Sequence, residues 1–324
     1  MSRPFAPRLR VSSYLSDWMP SGDTVRQSVA GYFAAGYDGT YLSGIDRIAF
    51  PADTKTTLSA TISPARYLSA GFANSGVAGY VAAGSGSGTT GNEIDKVSFP
   101  AETRSALAAT TSIAGFLAFG MANSGVAGYA AGFYDGNRYN AINKLTFSND
   151  AISVLSATLT SAAYGPNAYA NSGTAGYFAA GNGGGGGNST VIDKIAFPAD
   201  TKSTLSATLT QVIWGAACFA DNGVAGYSCG GATGGGTIVN PIDKLTFSTE
   251  TISVLSAVLT SARYYFSGMA DTGVAGYTGG GTDGTNHLSG IDKITFPTDT
   301  KSTLSATLTS IRQGVAGFSN QGVF

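Results

Sequence analysis

The chain's largest stock of proton-moving groups is its 19 acidic side chains, and their spacing assigns most of them to construction. Five recur inside one phrase (Asp46, Asp95, Asp193, Asp243 and Asp292), and six follow it in a turn (Asp53, Glu102, Asp150, Asp200, Glu250 and Asp299). An acid–base pair of the kind that flanks a scissile bond would have to come from Asp17, Asp23, Asp38, Glu93, Asp135, Asp221, Asp271 and Asp283. Arg47, Lys96, Lys144, Lys194, Lys244 and Lys293 recur beside the repeated acid, which reads as ion pairs, solvated or between neighbouring repeats, and not as a basic patch. His287 stands alone, so metal and imidazole chemistry have almost nothing to work with. Cys218 and Cys229 occupy small-residue positions in one hairpin. Counting from Asn222-Gly223 sets Cys218 opposite Tyr227, so the expectation is two buried thiols and no disulfide. Gly86-Ser-Gly-Thr-Thr-Gly91 spells a dinucleotide fingerprint but leads into a strand, leaving no helix amino terminus to meet a phosphate.

What must position these groups is a repeat. Only 11% of the 324 residues are charged, against about 25% in an average domain, 46 are glycine, and the net charge is -1. Such a chain has no field for nucleic acid or anionic lipid. No uncharged run reaches the ~20 apolar residues of a membrane helix. The basic start, Met1 to Arg10, is not followed by an apolar stretch, so the expectation is cytoplasmic synthesis without a signal peptide.

The phrase Ile-Asp-Lys-Ile-x-Phe, in close variants, begins at Ile45, Ile94, Ile142, Ile192, Ile242 and Ile291, and Ala-Gly-Tyr ends at Tyr32, Tyr80, Tyr129, Tyr177, Tyr227 and Tyr277. The distance from each Ile to the next Tyr is constant at 35 residues, while that from Tyr to the next Ile varies from 13 to 15. All length variation therefore sits in one loop per repeat. Each repeat resolves into four β segments; in the second they are Tyr67 to Ala73, Val77 to Ala83, Ile94 to Phe99 and Ala106 to Thr111. Four-stranded sheets so poor in charge must cover both faces, and six of them arranged about an axis do so as a propeller. Small residues of the first segment suit the crowded axis, and bulkier Ile, Phe and Leu suit the widening rim. The first Ala-Gly-Tyr lacks a preceding strand, while Ile311 to Phe324 reads as that strand, so the carboxyl end is expected to complete the first blade and leave no open edge. The fold class is all-β, a six-bladed propeller over 28–324 with an amino-terminal arm over 1–27.

The repeats resemble kelch repeats. Arg66 precedes a first strand, the second strand ends in glycine (Ala83-Gly84, or Gly230-Gly231), and a Pro-Ala-Asp/Glu-Thr turn joins the third to the fourth, although Leu58 and its equivalents replace the family's Trp. The subset with Gly-Tyr-x-x-Gly-Gly and Leu-Ser-Ala-x-Leu looks like propellers of bacteriophage virion proteins. This resemblance implies a non-enzymatic structural or adhesion component of a phage virion, in tail, fibre or capsid. The copper chemistry of kelch oxidases needs several histidines, and the Ser-x-Asp-x-Gly-x-x-Trp box of sialidases is missing. No cofactor and no metal is expected. The alternative from another class is a lectin-like or protein-binding bacterial propeller.

Two candidate surfaces follow. The loops between second and third strands share one face of a propeller, and their aromatic and polar residues nominate Tyr37, Asp38, Tyr41, Phe133, Tyr134, Asp135, Arg138, Tyr139, Asn286 and His287 as a recognition face for a host glycan or protein. In the arm, Arg3, Phe5, Arg8, Arg10, Tyr14 and Trp18 read as a docking peptide toward other virion proteins.

Overall fold

The computed structural model describes residues 30–99, 101–184 and 188–320; the expected docking arm, including Arg3, Phe5, Arg8, Arg10, Tyr14 and Trp18, lies outside them. The described residues form six antiparallel blades of four strands. In blade 2 the order outward from the axis is Ala70–Asn74, Ala78–Gly86, Thr89–Ser98 and Thr103–Ala106, with Arg66–Tyr67 as a short addition to the second strand. Blade 1 is assembled from both ends of the chain: Ala316–Ser319 is its innermost strand and pairs with Ala30–Tyr37, Tyr32 opposite Phe318. The expected closure is present, and it buries the edge that Ala30–Tyr37 would otherwise expose.

Three details differ from the sequence expectation. The first strand of blade 2 is not continuous from Tyr67 to Ala73, because Leu68 takes a left-handed φ of 56° and its N–H leaves the ladder to bond Gly314 in blade 1. The outermost strand spans Thr103–Ala106, earlier than Ala106 to Thr111, because Leu107 N–H already closes back onto the Ile94 carbonyl. The Cys218 register also moves by one. Val224 N–H bonds the Asp221 carbonyl and Gly223 has φ 79°, giving a three-residue turn instead of a two-residue one. Cys218 therefore faces Ser228, and Cys229 faces Ala217. Neighbouring residues of a strand point to opposite faces, so the two thiols lie on opposite sides of the sheet, both free and buried. Burial pushes the Cys218 thiol up to about 12.

The recurring phrases turn out to be inter-blade joints. The Gly of each Ala-Gly-Tyr lies beneath an innermost-strand side chain of the preceding blade: Gly79 under Phe318, Gly128 under Phe72, Gly226 under Tyr169 and Gly276 under Phe219, with Met121 over Gly176 and Met269 over Gly31. The Tyr hydroxyl that follows donates to the turn acid of the next blade, as Tyr80 to Asp150 (3.1 Å), Tyr129 to Asp200 (2.7 Å) and Tyr227 to Asp299 (2.8 Å). Tyr277 closes the circle on Asp53 at 2.8 Å. The repeated Lys grips the same acids, Lys96 on Asp150, Lys244 on Asp299 and Lys293 on Asp53 each at 2.7 Å. The repeat cations thus pair between blades, with the turn acid and not with the Asp beside them. The turn acids sit at left-handed φ, 57° for Asp53 and 54° for Asp150.

The acid of the Ile-Asp-Lys phrase is buried and held by the connection entering its blade. Asp46 accepts from the amide and hydroxyl of Thr309, Asp193 from Thr160, Asp243 from Thr210 and Asp292 from Thr260. In three blades a buried arginine completes the site: Arg66 with Asp95, Arg263 with Asp292 and Arg312 with Asp46. Eleven of the 19 acids are thus accounted for by construction.

Candidate recognition face

At the axis, six residues from six blades form a closed circle of backbone hydrogen bonds. Leu68, Leu117, Gly165, Gly215, Tyr265 and Gly314 each donate an N–H to the carbonyl of the one before, over 2.6 to 3.1 Å. All six hold left-handed φ between 55° and 66°. In a β ladder these groups would serve their own blade; here they tie the blades together. Within the circle lies a cavity of about 30 Å³ beside Gly71, Gly120, Cys218, Gly268 and Gly317. That holds about one or two waters and is too small for an organic substrate.

The residue before each member of this circle is aromatic in five blades: Tyr67, Phe116, Tyr164, Trp214 and Tyr264, with Gln313 in blade 1. These half-buried rings lie around the mouth of the axis on the side of the variable loops. The loops add rings to them. Tyr37 of blade 1 touches Tyr41 (5.4 Å), Tyr67 of blade 2 (5.3 Å) and His287 of blade 6 (5.8 Å). On the other side Tyr134 packs on Phe116 and Tyr164, and Trp214 stands edge-on to Tyr164, Tyr264 and Tyr265. Aromatic pairs prefer such edge and offset geometries. Burial raises the phenols of Tyr67 and Tyr265 above the ordinary value.

Of the residues nominated from sequence, Tyr37, Tyr41, Tyr134, Arg138 and His287 join this belt. The Arg138 guanidinium lies over the Tyr134 and Tyr164 rings at 5.6 and 5.1 Å, and its Nε–H bonds the Asn182 carbonyl, which joins the loops of blades 3 and 4. Asp38, Asp135, Tyr139 and Asn286 stand outside it. Asp38 accepts from the Thr40 hydroxyl and amide, which hold its carboxyl low. Asp135 is kept low by the Asn137 amide and accepts from the Tyr139 hydroxyl at 2.8 Å. Asn286 is exposed, its amide bonding Asp283. Phe133 is the correction: it is fully buried in the core between blades 2 and 3, because Gly132 turns the chain there and Tyr134 takes the outward place. Sequence reasoning missed Tyr67, Phe116, Tyr164, Trp214 and Tyr264. Their spacing of 48 to 50 residues, in step with the repeat, was the available signal.

The opposite face carries the Asn-Ser-Gly hairpins and is different in kind. Val77, Val126, Val224 and Val274, one after each hairpin glycine, are 40 to 49% exposed. The turn acids of this face are each occupied by a Tyr and a Lys or Arg, and the hairpin acids Asp221 and Asp271 are buried. Chain entry at Ala30 and exit at Asn320 both lie here, joined by Asn320 N–H to the Ala30 carbonyl and by the Ala30 amide to the Asn320 side chain.

Among the described residues no three His, Cys, Asp or Glu side chains are placed to hold a metal ion, and no helix is long and apolar enough to cross a membrane. No family model matches the chain, and no curated protein matches it. Among solved structures it is similar to one described as "Structure of YjhT", with a TM-score of 0.65 and 12% identity over 86% of this chain and 98% of that one. Identity that low carries the propeller fold alone.

Proposed function

We propose that this protein is a non-enzymatic structural and adhesion component in which the ring is a rigid platform, fixed by its hairpin face to a larger assembly and offering its loop face to a host-surface partner. The observation that carries the reading is the polarity of the disc. The chain enters and leaves on the face of the hairpin valines and the paired turn acids, while aromatic rings and polar loops crowd the other. Exposed apolar side chains with few open charges suit a lasting contact. A rim of Tyr, Trp and Arg on variable loops suits recognition. The setting we assign is a phage virion, in tail, fibre or capsid, on the resemblance of the kelch-like repeat phrases to those of virion propellers. Residues 1–27 are the proposed tether to other virion proteins.

Incorporation into particles tests this. A chain lacking residues 1–27, and separately a full chain with Val126→Glu and Val224→Glu, should fold as the native ring yet be missing from purified particles. Normal incorporation of both would overturn the attachment role. Residues from Tyr37 to His287 supply the belt of rings around the axis, which favours as second reading a free lectin-like or protein-binding bacterial propeller; activity of the truncated ring as a soluble binder would select it.

A further inference from the structure

We infer that the loop face takes a neutral glycan, its sugar rings lying flat on the tyrosine belt; this rests on the loop face being the recognition surface. Two populations of tyrosine carry the argument. The hydroxyls of the six Ala-Gly-Tyr residues are all engaged by turn acids of the next blade. Those of Tyr37, Tyr41, Tyr67, Tyr164 and Tyr264, all half-buried, make no hydrogen bond among the described residues. Each of these side chains therefore presents a fixed apolar ring beside an unused donor and acceptor, which matches the apolar C–H faces and hydroxyl edges of a pyranose.

The rings are held by one another across blades, so little side-chain freedom is lost when a ligand settles on them. A small rigid aromatic with a polar tip gives much contact area for few rotatable bonds. The cavity at the axis, inside the circle from Leu68 to Gly314, is only about 30 Å³, so a glycan held by the loop face lies across the surface and does not enter the axis.

Charge selects the class of glycan. The described loop residues carry three carboxylates, Asp38, Asp135 and Asp283, against one cation, Arg138, which is already engaged by two rings and the Asn182 carbonyl. Sialylated, sulphated or phosphate-bearing polymers would meet like charge there. Neutral sugars would find carboxylate acceptors for their hydroxyls.

The test is an array of neutral, sialylated and sulphated glycans, probed with the full chain and with Tyr37→Ala/Tyr67→Ala, while thermal unfolding verifies that the variant is folded. Binding is expected on neutral glycans only, unchanged by added salt, and weakened by about tenfold or more in the variant. Binding confined to anionic glycans, or equal binding by the variant, would overturn the inference. Adhesion of assembled particles to host cells separates the two levels. If no glycan binds but the variant loses adhesion, the face recognises a protein and only the glycan inference falls. If adhesion survives as well, the recognition face falls with it.

Discussion

Gly128 of blade 3 lies under the ring of Phe72 from blade 2, so closely that a β-carbon on Gly128 would stand 2.1 Å from Cδ2 of that ring. Six such contacts run around the disc, and each uses the middle residue of Ala-Gly-Tyr. Phe72 is itself stacked on Tyr80 and packed against Phe147, so it has nowhere to retreat.

Gly128→Ala is therefore expected to destabilise the ring by about 1–3 kcal/mol or more, the usual cost of overfilling a packed core. Gly44→Ala, where an added β-carbon meets nothing within 4 Å, should be near neutral. Chemical denaturation of both variants decides the matter; equal stability would show that the blades slide apart freely.

Tyr129 donates to Asp200 while Lys144 grips the same carboxylate from a partly exposed position. A hydrogen bond to a charged acceptor contributes about 1.5–3 kcal/mol, and a partly exposed ion pair about 0–1 kcal/mol. Tyr129→Phe should thus cost more than Lys144→Met in equilibrium unfolding. The reverse order would assign the joint to charge instead of to the buried phenol.

Acid should loosen the seams held by Asp46 and Asp292. Burial alone would raise these carboxyls, but the hydroxyl and amide of Thr309 with Arg312, and of Thr260 with Arg263, overcome it and hold both below the ordinary value. A carboxyl held low when folded binds fewer protons than it does unfolded, so its stabilisation is complete above the ordinary value near ~3.9 and is lost as the pH falls through the folded value. Asp271 acts in the opposite sense, since burial raises it. Thermal midpoints measured from neutrality into acid should fall below about pH 4, and Asp46→Asn should flatten that limb. A midpoint that climbs on acidification would give Asp271 the upper hand.

Ending the chain before Gly314 removes the innermost strand Ala316–Ser319 and one member of the axial circle. The edge of Ala30–Tyr37 would then be bare. Size-exclusion chromatography should show aggregated or multimeric material instead of a monomeric ring, whereas deleting Gly235, exposed in the loop of blade 5, should leave the elution position unchanged. A monomeric truncated chain with native circular dichroism would mean that the other five blades close without the sixth joint.

Much of the architecture was legible because it is periodic. Ile45 to Tyr80 and its equivalents recur at one spacing, and a four-segment unit that cannot cover its own faces has few ways to stack. The missing strand before Ala30 and the spare one after Ile311 pointed to closure for the same reason. The recognition face was only half legible. Tyr37, Tyr134 and Arg138 stand in loops whose lengths vary, and so drew notice; Tyr67, Tyr164 and Trp214 stand at strand starts, where an aromatic ordinarily signals core.

By itself the sequence determined the number of blades and the closure of the first by the carboxyl-terminal strand, since these follow from the period. Only the tertiary structure decided which carbonyl each left-handed residue would meet, that Phe133 turns inward while Tyr134 turns out, and that rings 48 to 50 residues apart share one surface. Those outcomes depend on the angle at which neighbouring wedges meet, and no run of residues along one strand contains it.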